Sequence, residues 1–166
     1  MTDIIWAPWR MDYIRRPEKE ESCIFCDAFV DGRGEAEMLL HRGVDYCVLM
    51  NKYPYTNAHL LVSPRKHAES LGELSPEELS TLFLAVARAE GLIREVLNPD
   101  GLNVGMNLGK VAGAGFDDHI HVHIVPRWNG DNSFMPVIAD TRYINQYVIE
   151  TRAELLPHAP KFFLPS

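Results

Sequence analysis

The chain has 166 residues, of which 46% are hydrophobic and 23% are charged, and its net charge is −7. This composition fits one ordinary globular domain with a real core. The acidic balance argues against non-specific binding to DNA, RNA or an anionic membrane, because each of these requires a basic surface.

The cysteine content and the apolar pattern favour a cytoplasmic protein. Three cysteines at uneven spacing are too few for a disulfide framework. The segment "MTDIIWAPWRMDYIRR" has neither the apolar stretch nor the cleavage site of a signal peptide. No apolar run approaches the roughly 20 residues of a membrane helix. We therefore expect no membrane partner.

The chain is expected to form a single domain over 1–166. An N-terminal arm (1–22) mixes aromatic and charged side chains, the core covers 20–130, and a proline-containing extension covers 131–166. The segment "CIFC" at 23–26 follows the arm and predicts a short structured knuckle before a turn.

The first predicted strands are the apolar runs 46–50 and 60–63. The polar segment between them carries Pro54 and Asn57, which are typical loop residues. The pattern predicts two antiparallel strands joined by a loop.

The clearest helix signal begins at Ser75, which can cap the helix, with Pro76 at the first helical position and Glu78 at the capping-box spacing. Asn98-Pro99 stops the pattern. The residues expected on the buried stripe are Leu79, Leu82, Phe83, Val86, Ala89 and Ile93.

The last predicted elements include two more strands. "GLNVGMNLG" alternates like a strand, "KVAGAGFDD" is a glycine-rich turn, and "HIHVHIV" begins a second strand. Residues 141–156 predict a final helix. A parallel sheet would need a crossover connection between most of its strands, and only one long helix is predicted between them. We therefore expect an α+β fold with an antiparallel sheet.

Three histidines alternate along that last strand, at positions 119, 121 and 123. Side chains alternate across a strand, so these imidazoles share one face, roughly 6–7 Å apart, and the apolar residues between them share the other. Burying several unpaired imidazoles is costly, so this face should meet solvent, a ligand or a metal. A cluster of ionisable groups predicts a functional site.

Two chemistries suit this face. A catalytic metal is one, since neutral imidazole is a common ligand, although the cupin glutamate and the His-Glu-x-x-His motif are both absent. The other is nucleophilic attack by imidazole on phosphorus, with neighbouring histidines donating hydrogen bonds to the phosphoryl group. Gly113 and Gly115 would let backbone N–H groups approach an anion, so this alternative explains the turn as well as the histidines.

The pattern His-φ-His-φ-His-φ-φ, in which φ is apolar, resembles the histidine triad (HIT) family. "MNKYPYTNAHLLVSPRKH" is similar to its first nucleotide-binding strand pair, and "GLNVGMNLGKVAGAG" to its second strand and phosphate loop. The resemblance covers roughly residues 20–130. "WAPWRMDYI" and "VPRWNGDNSF" resemble a bacterial and archaeal branch associated with diadenosine tetraphosphate phosphorylase or hydrolase activity.

The resemblance implies a HIT-like fold. Its sheet has five antiparallel strands, with one long helix and, here, a short C-terminal helix. Many members are homodimers in which the sheet continues across the interface. The implied substrate is an adenine nucleotide or a dinucleoside polyphosphate, and no organic cofactor is implied.

The resemblance also implies roles for single residues. His121 matches the nucleophile, which would form a nucleotidyl-histidine. His123 would contact the phosphate and assist the leaving group, and His59 would support the active site. The nucleotide-binding positions are Asn51 beside the ribose, Asn107 and the Gly113–Gly115 loop at the phosphate, and, from its aromatic ring, Trp128 at the base.

The loop departs from the family pattern at Gly115. Many members carry a serine there, whose hydroxyl donates to phosphate, and the loop of this chain is one residue longer. This departure suggests, as an alternative to a polyphosphate-cleaving enzyme, a nucleotide-binding module with little turnover. A nucleoside phosphoramidate hydrolase is a second alternative. A zinc hydrolase that uses the triad as its metal site is a further hypothesis.

Cys23 and Cys26 have the Cys-x-x-Cys spacing. The thioredoxin-like setting of a redox pair is absent, so either a zinc site or two buried thiols remains. Structural zinc takes four ligands. Some HIT members complete such a site with two histidines, which here are His67 and His119, and this implies structural zinc. The histidines at 41 and 158 lack an evident partner and are predicted to lie on the surface.

Overall fold

The computed structural model describes residues 23–30, 38–113, 118–131 and 144–163. Predictions for the N-terminal arm, Gly115 and the start of the last helix at 141–143 fall outside these ranges. The elements in chain order are α1 (Ile24–Asp27), β1 (Leu39–Arg42), β2 (Tyr46–Met50), β3 (Leu60–Pro64), α2 (Pro76–Leu97), β4 (Gly101–Gly105), β5 (Val122–Arg127), α3 (Val148–Leu155) and α4 (Ala159–Phe163).

The five strands form one sheet in the order β1-β2-β3-β5-β4, and every neighbouring pair is antiparallel. This confirms the predicted α+β fold. None of the described helices combines the length and the apolar composition needed to cross a bilayer.

The two faces of the sheet are covered by different helices. Val122 and Ile124 of β5 enter the main core, which also contains the buried residues of α2, α3 and α4. The opposite face carries a smaller cluster in which Phe25 of α1 packs against Cys47 and Leu61. His123 lies on this second face, because Leu61 is its neighbour across β3. The expected alternation of apolar and histidine side chains is therefore confirmed for residues 122–124 of β5.

Helix α2 begins and ends where the sequence predicts. Ser75 Oγ accepts a hydrogen bond from the Glu78 backbone N–H (3.2 Å), and a Glu78 carboxylate oxygen accepts one from the Ser75 N–H (2.7 Å). At the other end Asn98 takes a left-handed conformation, and Pro99 follows it.

Replacing Ser75 by alanine is expected to lower the free energy of unfolding by about 1 kcal/mol, because the Glu78 N–H loses its acceptor. Urea unfolding curves measure this difference. Ser80→Ala, at an exposed position inside the same helix, is the matched control and should not destabilise, because alanine is the better helix former. Equal losses in the two variants would contradict the capping argument.

Three predicted details are wrong or incomplete. Phe83 is 50% exposed and does not belong to the buried stripe, since it lies at the edge of the helical face. The C-terminal region forms two helices, and α4 was not predicted because "APKFF" has only five residues. Regular pairing of the histidine strand starts at Val122, so His119 and His121 precede the ladder.

Strand β1 was also missed, and with it the setting of His41. The strand has four residues and a register shift between Leu39 and His41, so it shows no alternation. His41 is half-buried and stacks on Phe163 of α4 with ring centroids 4.7 Å apart. Burial, aided by the nearby Arg88, lowers its pKa. His41 is therefore not a surface residue, whereas His158 is exposed as predicted.

Candidate functional site

Four histidines meet on the sheet face that α1 covers. His119 and His121 lie in the segment that leads into β5, His123 lies within β5, and His59 directly precedes β3. They are 0 to 8% exposed. The cost of burying these imidazoles is offset by hydrogen bonds, which give the four rings different roles.

One ring nitrogen of His121 receives no hydrogen bond from the described residues. Its Nδ1 lies 2.9 Å from the carbonyl oxygen of His119. A carbonyl only accepts, so Nδ1 carries the proton and Nε2 keeps its lone pair. Burial lowers the pKa of His121, which favours the neutral ring. Phe25 stacks on this imidazole at 4.7 Å between centroids and fixes its plane.

His123 has the opposite arrangement of proton and lone pair. The backbone N–H of Tyr55 donates to His59 Nδ1 (3.1 Å), so the proton of neutral His59 is on Nε2. That Nε2–H donates to His123 Nδ1 at 2.9 Å. The proton of neutral His123 is consequently on Nε2, a buried atom with no hydrogen-bond partner among the described residues.

The pKa values support neutral rings for this pair. Burial lowers the pKa of His59 to about 3 and that of His123 to about 4. Near pH 7 the site therefore offers one bare nitrogen on His121 and one N–H donor on His123, on rings whose centroids are 4.9 Å apart. A nucleophile beside a hydrogen-bond donor is the arrangement that displacement at phosphorus requires.

A cavity of about 370 Å³ opens beside His123. Gly105 faces His123 across the β4–β5 pair, and a side chain added at Gly105 would meet no atom within 4 Å. The lining residues are Tyr55, Thr56, Asn103, Val104, Gly105, Met106, Asn107, His123, Val125 and Arg127. The cavity is large enough for part of a nucleotide and reaches from His123 to Arg127 at the end of β5.

The predicted nucleotide-binding residues are only partly gathered there. Asn107 lines the cavity and donates to the Gly113 carbonyl (3.4 Å), and Gly113 has φ +90°, a conformation that favours glycine. Asn51 lies at the His59 end of the site. Trp128 follows β5 and is half-buried, without a described contact to the histidines. Gly115 lies outside the described residues, so the predicted role of the loop stays a prediction.

Two lining residues were missed as site residues by sequence reasoning. Tyr55 stacks on His123 with ring centroids 5.7 Å apart, and its backbone orients His59. Thr56 donates to the Pro126 carbonyl and so ties the β2–β3 loop to β5. The loop signal at Pro54 and Asn57 marks this segment, but no sequence pattern says that it folds over the triad.

A second cluster joins the four residues predicted as metal ligands. Cys23, Cys26, His67 and His119 place one ligand atom each within 4.8 Å of the others. The Cys23 sulfur lies 3.2 Å from His119 Nδ1, and the Cys26 sulfur lies 3.2 Å from His67 Nδ1. For tetrahedral zinc with ordinary bond lengths, a sulfur and a nitrogen ligand are about 3.6 Å apart.

The donor set and its surroundings fit zinc. The distances are close to those of a tetrahedral site, and two thiols with two imidazoles are a common structural set. His119 Nε2 donates to the Pro64 carbonyl (3.0 Å), which directs Nδ1 toward the sulfur atoms. Burial raises the pKa of the Cys23 thiol to about 12. A bound cation would favour the thiolate instead.

The comparisons with known proteins agree on one family. The sequence profile of the HIT domain matches residues 36–130. An AP-4-A phosphorylase of Mycobacterium tuberculosis is 34% identical over 155 residues, which cover 89% of this chain and 80% of that protein. An asymmetrical bis(5'-nucleosyl)-tetraphosphatase of Schizosaccharomyces pombe is 36% identical over 84 residues, 51% of this chain and 46% of that enzyme.

Solved structures agree with this fold. The crystal structure of a zinc-bound histidine triad family protein from Mycobacterium smegmatis superposes with a TM-score of 0.67 at 31% identity. The match covers 84% of this chain and 94% of that one.

Proposed function

The chain belongs to the histidine triad (HIT) family, and we propose that it cleaves an adenylyl phosphoanhydride, most simply diadenosine tetraphosphate, through a nucleotidyl-histidine on His121. The observation that carries this proposal is the opposite protonation of two adjacent rings. His121 directs its proton to the His119 carbonyl, while His123 has its proton on Nε2. The AP-4-A phosphorylase and tetraphosphatase relatives support the substrate class.

In the first step the lone pair of His121 Nε2 forms a bond to the α-phosphorus. The bond from the α-phosphorus to the bridging oxygen breaks, and that oxygen leaves with the electron pair as the terminal phosphate oxygen of ATP. The Nε2–H of His123 donates a hydrogen bond to the developing anion. His121 keeps its Nδ1–H bond to the His119 carbonyl throughout.

In the second step an oxygen of water or of inorganic phosphate attacks the same phosphorus. The N–P bond breaks, and its electron pair returns to His121 Nε2. Water would yield AMP and release a proton to solvent, whereas phosphate would yield ADP. Covalent catalysis thus replaces one difficult displacement at phosphorus by two easier ones.

The cavity beside His123 is proposed to hold the leaving nucleotide. Gly105 leaves its wall open, and Asn107 and Thr56 supply polar groups along it. Arg127 stands at the far end, where Asp131 binds its guanidinium in a bidentate ion pair and Asn103 accepts a further hydrogen bond. Arg127 therefore shapes the cavity, because its charge is already paired.

Zinc is proposed for the cluster of Cys23, Cys26, His67 and His119. The zinc-bound relative from M. smegmatis and the fit of the donor atoms support this metal. When bound, zinc would supply a structural cross-link between α1, the segment after β3 and the segment before β5. The ion would leave catalysis to His121 and His123.

A homodimer is proposed through β4. This strand is at the sheet edge, and its Asn103, Val104 and Gly105 are exposed. Leu108 and Val111 add exposed apolar surface just beyond it. Among the described strands β4 has a neighbour on one side only, and such an edge with an apolar flank is a template for pairing, so the sheet would continue into a second copy.

Product analysis with diadenosine tetraphosphate tests the reaction. We expect ATP in every case, with AMP as the other product if water resolves the intermediate and ADP if phosphate does so. Parallel incubations with and without inorganic phosphate separate a hydrolase from a phosphorylase. Binding of the substrate without any product would instead favour a nucleotide-binding module, which the glycine at the loop serine position motivates. Cleavage of adenosine phosphoramidates alone would favour the phosphoramidate hydrolase.

A further inference from the structure

Asn51 lies beside the histidine pair with its amide turned inward. The backbone N–H of Tyr53 donates to Asn51 Oδ1 at 2.9 Å. Because a backbone N–H can only donate, this contact identifies the oxygen of the amide. The nitrogen Nδ2 then faces His59 Nδ1, at 3.1 Å.

His59 Nδ1 consequently receives two hydrogen bonds. One comes from the amide of Asn51 and the other from the backbone N–H of Tyr55, both at 3.1 Å. Neither group can accept a proton from the ring. The Asn51–Tyr53 contact also holds the turn that carries the Tyr55 N–H, so Asn51 acts on Nδ1 directly and through the backbone.

We propose that Asn51 is a positioning residue for the His59–His123 pair: its amide keeps His59 Nδ1 free of a proton, and this keeps the Nε2–H of His123 available to the leaving group. The inference rests on the proposed function. It gives Asn51 a role distinct from contact with the ribose. The effect passes from Asn51 to His59 and from His59 Nε2–H to His123 Nδ1.

The protonation of His59 can be read directly by nitrogen-15 NMR of the histidine rings. In the wild type at pH 7 we expect an unprotonated Nδ1 and a protonated Nε2 on both His59 and His123. In Asn51→Asp the carboxylate can only accept, so a proton should appear on His59 Nδ1. A protonated Nδ1 in the wild type, or an unprotonated one in the variant, would overturn the proposal.

Asn57→Asp is the matched control, because it introduces the same charge two residues before His59. Its oxygen can still accept the hydrogen bond from the Asn145 N–H. We expect the ring of His59 to stay as in the wild type. If this control also protonates Nδ1, the added charge rather than the lost donor is responsible, and the proposal is wrong. This readout needs no turnover, so it remains decisive even if the proposed reaction fails.

The kinetic test uses Asn51→Ala with a series of aryl esters of AMP. A weakened donor at His123 matters most when the leaving group is poor. We expect kcat to fall about tenfold for the phenyl ester, the value of one hydrogen bond. The 4-nitrophenyl ester should show little loss, and KM should not change. Equal losses along the series, or a loss that disappears with 2',3'-dideoxyribose substrates, would overturn the proposal and in the second case assign Asn51 to the ribose.

Discussion

Replacing His121 by alanine is expected to lower the rate of diadenosine tetraphosphate cleavage by about 10⁴-fold, while nucleotide binding persists. His121 is the ring with an unprotonated Nε2, and no described residue hydrogen-bonds to that atom. His123 cannot substitute, because its Nε2 holds a proton and its Nδ1 is engaged by His59. Single-turnover assays and a nucleotide-binding titration on the same variant measure the two effects.

The covalent intermediate provides the second measurement for this prediction. Wild-type protein quenched in denaturant during turnover should carry one nucleotidyl group, and His121→Ala should carry none. His158→Ala is the matched control, since His158 is exposed in the turn between α3 and α4, and it should keep full activity. A variant at His121 that retains activity within tenfold would remove this residue as the nucleophile. Loss of activity with a chelator, without any adduct in the wild type, would favour the zinc hydrolase instead.

The sequence predicts this site well where the chemistry is local. The alternation of the three histidines is enough to place them on one face, and Ser75 with Glu78 is enough to start α2. The capping residues contact each other within one turn, so their spacing in the sequence is enough to predict their hydrogen bonds. Such patterns need no knowledge of the tertiary fold.

The sequence cannot predict what depends on contacts between distant segments. The protons on His59 and His123 depend on the Asn51 amide and on the backbone N–H of Tyr55, and no residue type reveals the second of these contacts. His41 is half-buried because α4 packs on β1, two short elements without a periodic pattern. Likewise, Cys23 and His119 are 96 residues apart in the sequence. Their contact could be predicted only from the resemblance to the HIT family.

Removing the metal is expected to lower the free energy of unfolding and, because α1 is released, also the rate of substrate cleavage. Binding at a free zinc concentration a thousandfold above Kd contributes about 4 kcal/mol, which corresponds to roughly 10 °C in Tm for a chain of this size. The cluster joins α1 to the segment before β5, which carries His121. Phe25, between the two cysteines, stacks on His121, so release of α1 would also free that ring.

The purified protein should contain one zinc per chain by elemental analysis, and Cys26→Ser should lose both the metal and the roughly 10 °C of Tm. Cys47→Ala is the matched control. Its thiol is also buried near Phe25 but lies outside the metal cluster, so this variant should keep the zinc and lose only the small stability of a trimmed core residue. A protein without zinc, or a Cys26→Ser variant as stable as Cys47→Ala, would mean that Cys23 and Cys26 are ordinary half-buried thiols without a metal. The orientation of His121 would then depend on the packing of Phe25 alone.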